Sequence, residues 1–287
     1  MINVLPDFKT GNALKILKKM EDASIQTTVT SPPYWGLRDY KSKGQIGNEK
    51  TSDKFIEKLV EIFMEVHRVT RENGTFWLNI ADTYKNKQLQ GVPWRLALAL
   101  QEKGWRLRSD IIWSKPNPMP ESCKDRPTRS HEYIFLFSKS SKYYYDIDAL
   151  RQPHKDITLK RIKSGVKQRH PDDVGMAIPP IESDVLGERF AHPKGRNERT
   201  VWEMITEKYQ GAHFATFPEV LAERCIKAGS KVGDTVLDPF VGSGTTCAVA
   251  AKLGRKSVGI DISKEFIKIA EERCKNINLT LESFNSD

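Results

Sequence analysis

The sequence predicts an α/β protein built on a largely parallel sheet, and three observations point there. Short apolar runs of strand length alternate with amphipathic helical segments. The alternation occurs twice, from Ile25 to Ser138 and from Phe217 to the C-terminus. Helical segments in both regions are bounded by capping residues or glycine stops. At 287 residues the chain can form one large domain with an insertion, or two small domains.

In the first region Ile25–Thr30 reads as a strand that ends at Ser31-Pro32-Pro33. Ser52 is placed to cap a helix with Ile56, Leu59, Val60 and Phe63 on one face. Gly74 is read as the stop of that region, and Thr75–Ile80 as the next strand. Pro93 suits a first helical position ahead of Leu96, Ala97 and Leu100, with Gly104 as the stop. Leu107–Trp113 and Glu132–Ser138 read as two further strands. In the second region Pro218 opens a helix closed by Gly229, and Thr235–Leu237 is a buried strand leading into a glycine-rich turn and helix. Lys256–Ile262 is another strand, after which Ser263 caps a helix carrying Phe266, Ile267, Ala270 and Cys274 on one face.

Arg151–Thr200 differs from both regions. It is rich in Lys, Arg, Pro, Gly and His, and its apolar residues keep no sustained period. Lys155, Lys160, Arg161, Lys163, Lys167 and Arg169 form a basic stretch within it. The expected division is therefore residues 1–150, a loop-rich insertion at 151–200, and residues 201–287.

No apolar run approaches the ~20 residues of a membrane helix. Asp7, Lys9 and Lys15 interrupt the N-terminal apolar residues, so no signal-peptide layout is present, and a cytoplasmic protein with no membrane partner is expected. Cys123, Cys225, Cys247 and Cys274 lack metal-ligand spacing and are expected as free thiols, with no metal bound. The formal net charge of +9 suits a polyanionic partner, although many basic proteins bind no nucleic acid.

Val236-Leu237-Asp238-Pro239-Phe240-Val241-Gly242-Ser243-Gly244-Thr245-Thr246 reads as a strand, a glycine turn and a helix start. Glycines there let backbone approach a ligand closely. Asp261 follows Gly242 by 19 positions, at the end of the next strand, where a carboxylate can accept hydrogen bonds from both ribose hydroxyls of an adenosine. A phosphate-binding loop would need a lysine after Gly244, and a dinucleotide fingerprint would need a third glycine where Thr245, Thr246 and Cys247 stand. An adenosine without a pyrophosphate is the better fit, and S-adenosylmethionine is one. The glycine turn alone is equally what a tight turn in any α/β protein requires; Asp261 tips the reading towards a ligand.

Thr30-Ser31-Pro32-Pro33-Tyr34-Trp35 falls where a strand ends, the usual place for a site in such folds. Methylating a base amine is demanding, because the nitrogen lone pair is delocalised into the ring. A site must accept the amine hydrogens and hold the base in line with the methyl donor. The Ser31 hydroxyl and the Pro32 carbonyl can accept those hydrogens, and paired prolines fix that carbonyl. Tyr34 offers a stacking face, and Trp35 shapes the surroundings. The plainer reading is a Ser-Pro-Pro turn with two core aromatics.

Together these segments resemble the amino-methyltransferases of bacterial and phage restriction-modification systems, in the permuted subgroup whose catalytic motif precedes the cofactor motif. Ser31-Pro32-Pro33-Tyr34 is similar to the catalytic tetrapeptide, and Asp238 to Thr246 to the cofactor loop. Phe217-Pro218-Glu219 is similar to the segment beside the methionine part of the cofactor, and Asp261 to the ribose-binding acid. The stretches Arg108 to Pro118 and Arg126 to Tyr133 are also similar to family members. Gly11-Asn12 departs from the Gly-Asp found in many relatives, so Asn12 is given no role.

The resemblance implies a doubly wound, mostly parallel, seven-stranded Rossmann-like sheet with one reversed strand, and a target-recognition element between the two halves. It implies catalysis by Ser31, Pro32, Pro33 and Tyr34. It assigns S-adenosylmethionine to Asp238, Pro239, Phe240, Gly242, Ser243, Gly244, Thr245, Asp261, Phe217 and Thr30. It assigns double-stranded DNA to Lys115, Arg126, Arg129, Lys160, Arg161, Lys163 and Arg169, with the target nucleotide extruded from the duplex. A partner restriction endonuclease fits the resemblance, as does either a monomer or a homodimer. A serine at the first motif position is more typical of cytosine-N4 enzymes, and an aspartate of adenine-N6 enzymes; both bases stay open. Cytosine-C5 chemistry needs a Pro-Cys nucleophile, and no cysteine here follows a proline. A catalytically silent DNA-binding protein, or a methyltransferase of RNA or protein amines, would share parts of this pattern.

Overall fold

A computed structural model describes residues 5–37, 42, 44–157, 192–206 and 217–283, the side chains of 276–283 excepted. The chain divides into two units, Met1–Tyr145 with Thr200–Asp287, and Asp146–Arg199. In the first unit the strands are β1 (Asp7–Thr10), β2 (Ile25–Thr30), β3 (Thr70–Ile80), a hairpin of β4 (Tyr84–Lys85) and β5 (Gln88–Leu89), β6 (Arg106–Ser114), β7 (His131–Ser138), β8 (Val201–Glu203), β9 (Thr235–Asp238) and β10 (Lys256–Asp261). The helices are α1 (Ala13–Leu17), α2 (Ser52–Val69), α3 (Val92–Glu102), α4 (Glu219–Gly229), α5 (Thr245–Lys252) and α6 (Lys264–Ser283).

β2 is the middle of the structure. All six of its residues are buried, which suits its β-branched composition of Ile25, Thr27, Thr28, Val29 and Thr30. It pairs in parallel with β3 on one side and with β9 on the other, so the two halves of the chain join here. The full order is β1-β10-β9-β2-β3-β7-β6-β8, and β7 alone runs against its neighbours. Among the described residues this sheet has eight strands rather than the seven expected. The addition is β8, three residues long, which pairs with β6 from Ile112↔Val201 to Ser114↔Glu203. Trp202 anchors it, buried and stacked 6.3 Å from Trp77, and Trp113 Nε1 donates to Met204 O at 2.9 Å.

Successive residues of β3 serve opposite faces of the sheet. Phe76, Leu78 and Ile80 join Phe55, Leu59 and Phe63 of α2 and Leu96 and Leu100 of α3 in one apolar cluster. Thr75 and Trp77 face the other layer, where Gly229 ends α4. A Cβ on Gly229 would lie 2.5 Å from Thr75 Oγ1 and 2.6 Å from Thr27 Oγ1, so the helix can settle this close only without a side chain. Beneath it the two threonine hydroxyls bond each other at 2.9 Å. α5 and α6 continue the layer through Cys247, Ala248, Ile267 and Cys274 packed with Val241. The sheet is thus doubly wound.

Three local differences have clear causes. Thr51, not Ser52, caps α2; its extended backbone lets Oγ1 accept from Lys54 N at 3.3 Å. Gly74 does not end the helix, because α2 stops at Val69 and passes directly into β3. The β2–β3 register jumps there from Ile25↔Thr70 to Thr27↔Thr75, and a Cβ on Gly74 would lie 2.7 Å from Gln26 O. At α3, Pro93 stands second rather than first, because the helix begins one residue earlier at Val92, and the N-cap Gly91 has no side chain to cap with. Asp82 supplies the acceptor from a distance, bonding Gly91 N at 2.8 Å and Val92 N at 3.0 Å.

The second unit is described at its two ends. A bridge between Gln152 and Arg196 has backbone bonds of 2.9 and 2.8 Å. Arg151 donates to Gly195 O at 2.9 Å and to Asn197 Oδ1 at 2.8 Å. Asp148, between Lys194 and Arg151, has its carboxyl held down to about 2. Lys155 is exposed, whereas Lys160, Arg161, Lys163, Lys167 and Arg169 lie outside the described residues.

The fit of α4 on the sheet predicts that Gly229→Ala destabilises the protein by about 1–3 kcal/mol through overpacking. Thermal unfolding checks this, and an unchanged midpoint would show that the layers have room to spare.

Candidate functional site

β1, β2, β9, β10, β3 and β6 point the same way, so their C-terminal ends share one edge of the sheet. β7 runs oppositely and brings its first residues to that edge. One open cleft forms there, lined by Gly11 and Asn12 after β1, Ser31 to Tyr34 after β2, Asn79 from β3, Trp113 and Lys115 at the end of β6, and Glu132 at the start of β7. Pro239, Phe240, Gly242, Ser243, Asp261, Ile262, Ser263, Phe266 and Phe217 line the remainder. The two segments that carry the sequence signals, distant along the chain, therefore face one space.

On the β9–β10 side, Asp261 Oδ2 accepts from Gly242 N at 3.1 Å and Oδ1 from Ser263 N at 2.8 Å. A carboxylate has about four acceptor positions, so capacity remains towards the cleft. Burial raises its proton affinity above the ordinary aspartate range. Gly242 has φ +50, and a Cβ built on it would meet nothing within 4 Å, so this backbone stands clear for a ligand. Phe240, Ile262 and Phe266 give the cleft apolar walls beside that carboxylate. An acceptor at the rim of an apolar slot, without a phosphate-binding lysine, fits a nucleoside. Asn12 Oδ1 caps α1, accepting from Lys15 N at 3.1 Å.

Asp238, Thr30, Gly244 and Thr245 stand behind the cleft wall rather than on it. Asp238 is buried and accepts from Thr30 Oγ1 at 2.6 Å, from Thr246 Oγ1 at 2.7 Å and from Phe240 N at 3.0 Å. One carboxylate thus ties the end of β2 to the loop after β9 and to the start of α5. Burial pushes this carboxyl up to about 6. Gly244 has φ +84 and passes against α6, where a Cβ would lie 2.8 Å from Ala270 Cβ. Thr245 Oγ1 accepts from Arg273 Nη1 at 2.9 Å, which ties α6 to the start of α5.

On the β2 side the Ser31 hydroxyl donates to Tyr34 Oη at 3.1 Å, and Tyr34 Oη donates to Glu132 Oε2 at 2.6 Å. Asn79 Nδ2 reaches all three groups, at 3.3 Å from Ser31 Oγ, 3.1 Å from Tyr34 Oη and 2.8 Å from Glu132 Oε2. Burial and the adjacent Glu132 push the Tyr34 hydroxyl well up, so it stays a neutral phenol. Lys115 pairs with Glu132 Oε1 and sits 4.3 Å over the Trp113 ring. Lys115, expected to contact DNA, has its ammonium at this cleft. Trp35 turns away, donating to Glu49 O at 2.8 Å and lining a neighbouring hollow with Tyr84 and Arg129. Arg129 donates to Asp82 O, and Arg126 pairs with Glu121 at 2.5 Å and lies 3.9 Å over the Tyr84 ring.

Asn79, Glu132 and Lys115 are the site residues whose role the sequence reading missed. A polar residue inside an otherwise apolar strand was the available signal, in Asn79 within Phe76 to Ile80 and in Glu132 ahead of Tyr133 to Phe137.

Comparisons with known proteins bear on the same geometry. A family model described as DNA methylase matches residues 25–272. The Type II methyltransferase M.SmaI of Serratia marcescens is 41% identical, over 92% of this chain and 88% of its own. Among solved structures, PvuII DNA methyltransferase (cytosine-N4-specific) superposes with a TM-score of 0.68 at 18% identity, covering 97% of this chain and 94% of that one. A DNA modification methylase of Thermus thermophilus, complexed with S-adenosyl-L-methionine, has a TM-score of 0.64 at 23% identity, covering 95% and 94%. At these identities the two structures speak for the fold.

Asp238 gives the site a pH signature. Its folded carboxyl, at about 6, lies above the ~3.9 of an unfolded aspartate. The folded state binds the proton more tightly, so this stabilisation is complete below about pH 4 and is lost as pH rises through about 6. The unfolding free energy of wild type minus that of Asp238→Asn should decline across this window in urea titrations. A flat difference would contradict the account of Asp238.

Proposed function

The chain belongs to the DNA methylase family matched over residues 25–272, and within that family we propose that it methylates the N4 amine of cytosine in duplex DNA. It is a site-specific DNA amino-methyltransferase, and its methyl donor is S-adenosylmethionine. The observation that carries the reading is the meeting of Ser31 and Pro32 with Asp261 and Gly242 around one cleft.

When bound, the donor supplies an electrophilic methyl group on a sulfonium. Asp261 would hold the ribose hydroxyls, with Phe240, Ile262 and Phe266 as the apolar walls for the adenosine and Phe217 on the side of the amino-acid part. Ser31 Oγ and the Pro32 carbonyl would accept the hydrogens of the target amine, which lets its nitrogen become more tetrahedral and frees its lone pair from the ring. Tyr34 walls the base with its ring while its hydroxyl stays bound to Glu132. The base must leave the duplex to reach this depth, at a cost of a few kcal/mol that stacking and pocket contacts offset.

Ser31 supports cytosine over adenine, since a serine at this motif position resembles the cytosine-N4 enzymes. The duplex would lie over the cleft edge, with Arg126 and Arg129 as phosphate contacts and the basic segment 151–200 reading the sequence. The resemblance to restriction-modification enzymes supports an endonuclease of matching specificity as a partner.

The test is product identity. Unmethylated bacterial DNA is incubated with protein and labelled S-adenosylmethionine, digested, and its nucleosides identified by mass spectrometry. N4-methyldeoxycytidine is expected, with turnover cut by at least about 10²-fold in Ser31→Ala. N6-methyldeoxyadenosine would overturn the base assignment, and label in RNA or protein would move the substrate class. Binding without any transfer would make the chain a silent DNA-binding protein.

A further inference from the structure

We propose that Glu132 is the proton acceptor of the methyl-transfer reaction, reached from Ser31 through the hydroxyl of Tyr34. The proposal rests on the amine-methyltransferase reading of the cleft and deepens it. Methylation gives the exocyclic nitrogen a fourth bond and a positive charge, so one N–H proton must leave. A serine hydroxyl can accept a hydrogen bond from that N–H but is too weakly basic to keep the proton. An aspartate at this position would bring its own carboxylate; a serine needs one behind it.

The structure has one in line. The Ser31 hydroxyl points to Tyr34 Oη at 3.1 Å, and the Tyr34 hydroxyl points to Glu132 Oε2 at 2.6 Å. In the transfer the N–H bond breaks and its electron pair stays on nitrogen. The proton joins Ser31 Oγ while the Ser31 proton passes to Tyr34 Oη and the Tyr34 proton passes to Glu132. Serine and tyrosine end as neutral hydroxyls, the carboxylate ends as a carboxylic acid, and the methylated amine is neutral. Tyr34 serves as a conduit and not as a base, because burial beside Glu132 keeps it protonated. Asn79 holds the three oxygens in order with one amide group. The charged and titratable groups around Glu132 are Lys115, paired with its other oxygen, Tyr34, and more distantly His131 and Arg129. Side-chain exposures of 19% for Lys115 and 11% for Glu132 leave this pair in touch with cleft water, into which the proton is finally released.

Glu132→Gln keeps the shape and an acceptor for Tyr34 while removing the base. Single-turnover methylation of cognate DNA is measured across pH and in H2O–D2O mixtures, beside calorimetric titration of S-adenosylmethionine and DNA. Expected are affinities within about twofold of wild type, a rate about 10²-fold lower, loss of the wild-type fall in rate at acid pH, and a proton inventory that changes from curved to linear. Tyr34→Phe breaks the chain without touching Glu132 and should show the same loss. A Glu132→Gln rate equal to wild type would overturn the relay. So would a lower rate that keeps the acid limb and the curved inventory, since that marks a merely structural contact. The wild-type product tests the functional reading separately, so the two cannot fail indistinguishably.

Discussion

A single buried carboxylate organises this molecule. Asp238 receives hydrogen bonds from Thr30 at the end of β2, Thr246 at the start of α5 and the backbone of Phe240. Burying a charge without partners is prohibitive, so the three donors and the acid depend on one another. Thr30 immediately precedes the Ser31 tetrapeptide, and Phe240 and Gly242 follow Asp238 in the loop that lines the cleft. Two segments separated by more than two-thirds of the chain are held in register by side-chain bonds, where β2 and β9 share only a short backbone ladder.

The parallel sheet converts that junction into a site. Strand direction brings the ends of β1, β2, β9 and β10 to one edge, and the reversal of β7 adds Glu132 at its own beginning. A sheet without the reversed strand would put the other end of β7 there and leave Ser31 without a carboxylate behind Tyr34. The electrostatics of the two sides differ accordingly. Asp261 offers acceptor capacity to a nucleoside, whereas Glu132 is already bonded by Tyr34, Asn79 and Lys115 and acts on the far side of Ser31.

Most of the strands and helices were legible from the chain, because β2, β7, α2 and α3 carry clear periodicity and punctuation. β1 and β8 were not, since Asp7–Thr10 and Val201–Glu203 are too short to show an alternation and owe their place to partners far away. That Ser31 and Asp261 line the cleft was readable because each stands at the end of a strand within a motif. Asp238 was singled out as a cofactor residue, yet its place behind the wall depends on Thr30, 208 positions away. Glu132 and Asn79 escaped because their meaning arises from cross-strand neighbours, 53 positions apart, that no local pattern displays.

The central claim is that the Asp238 junction positions both halves of the site, and Thr30→Val tests it most directly. The swap keeps the shape and removes one donor to Asp238. Thr28→Val on the same strand is its matched control, because Thr28 Oγ1 is buried without a hydrogen-bond partner among the described residues. Unfolding free energy and S-adenosylmethionine affinity would be measured for both. The account predicts that Thr30→Val loses about 1–3 kcal/mol of stability and binds the donor more weakly, although Thr30 does not line the cleft, while Thr28→Val is near neutral in both. Equal behaviour of the two variants would contradict it.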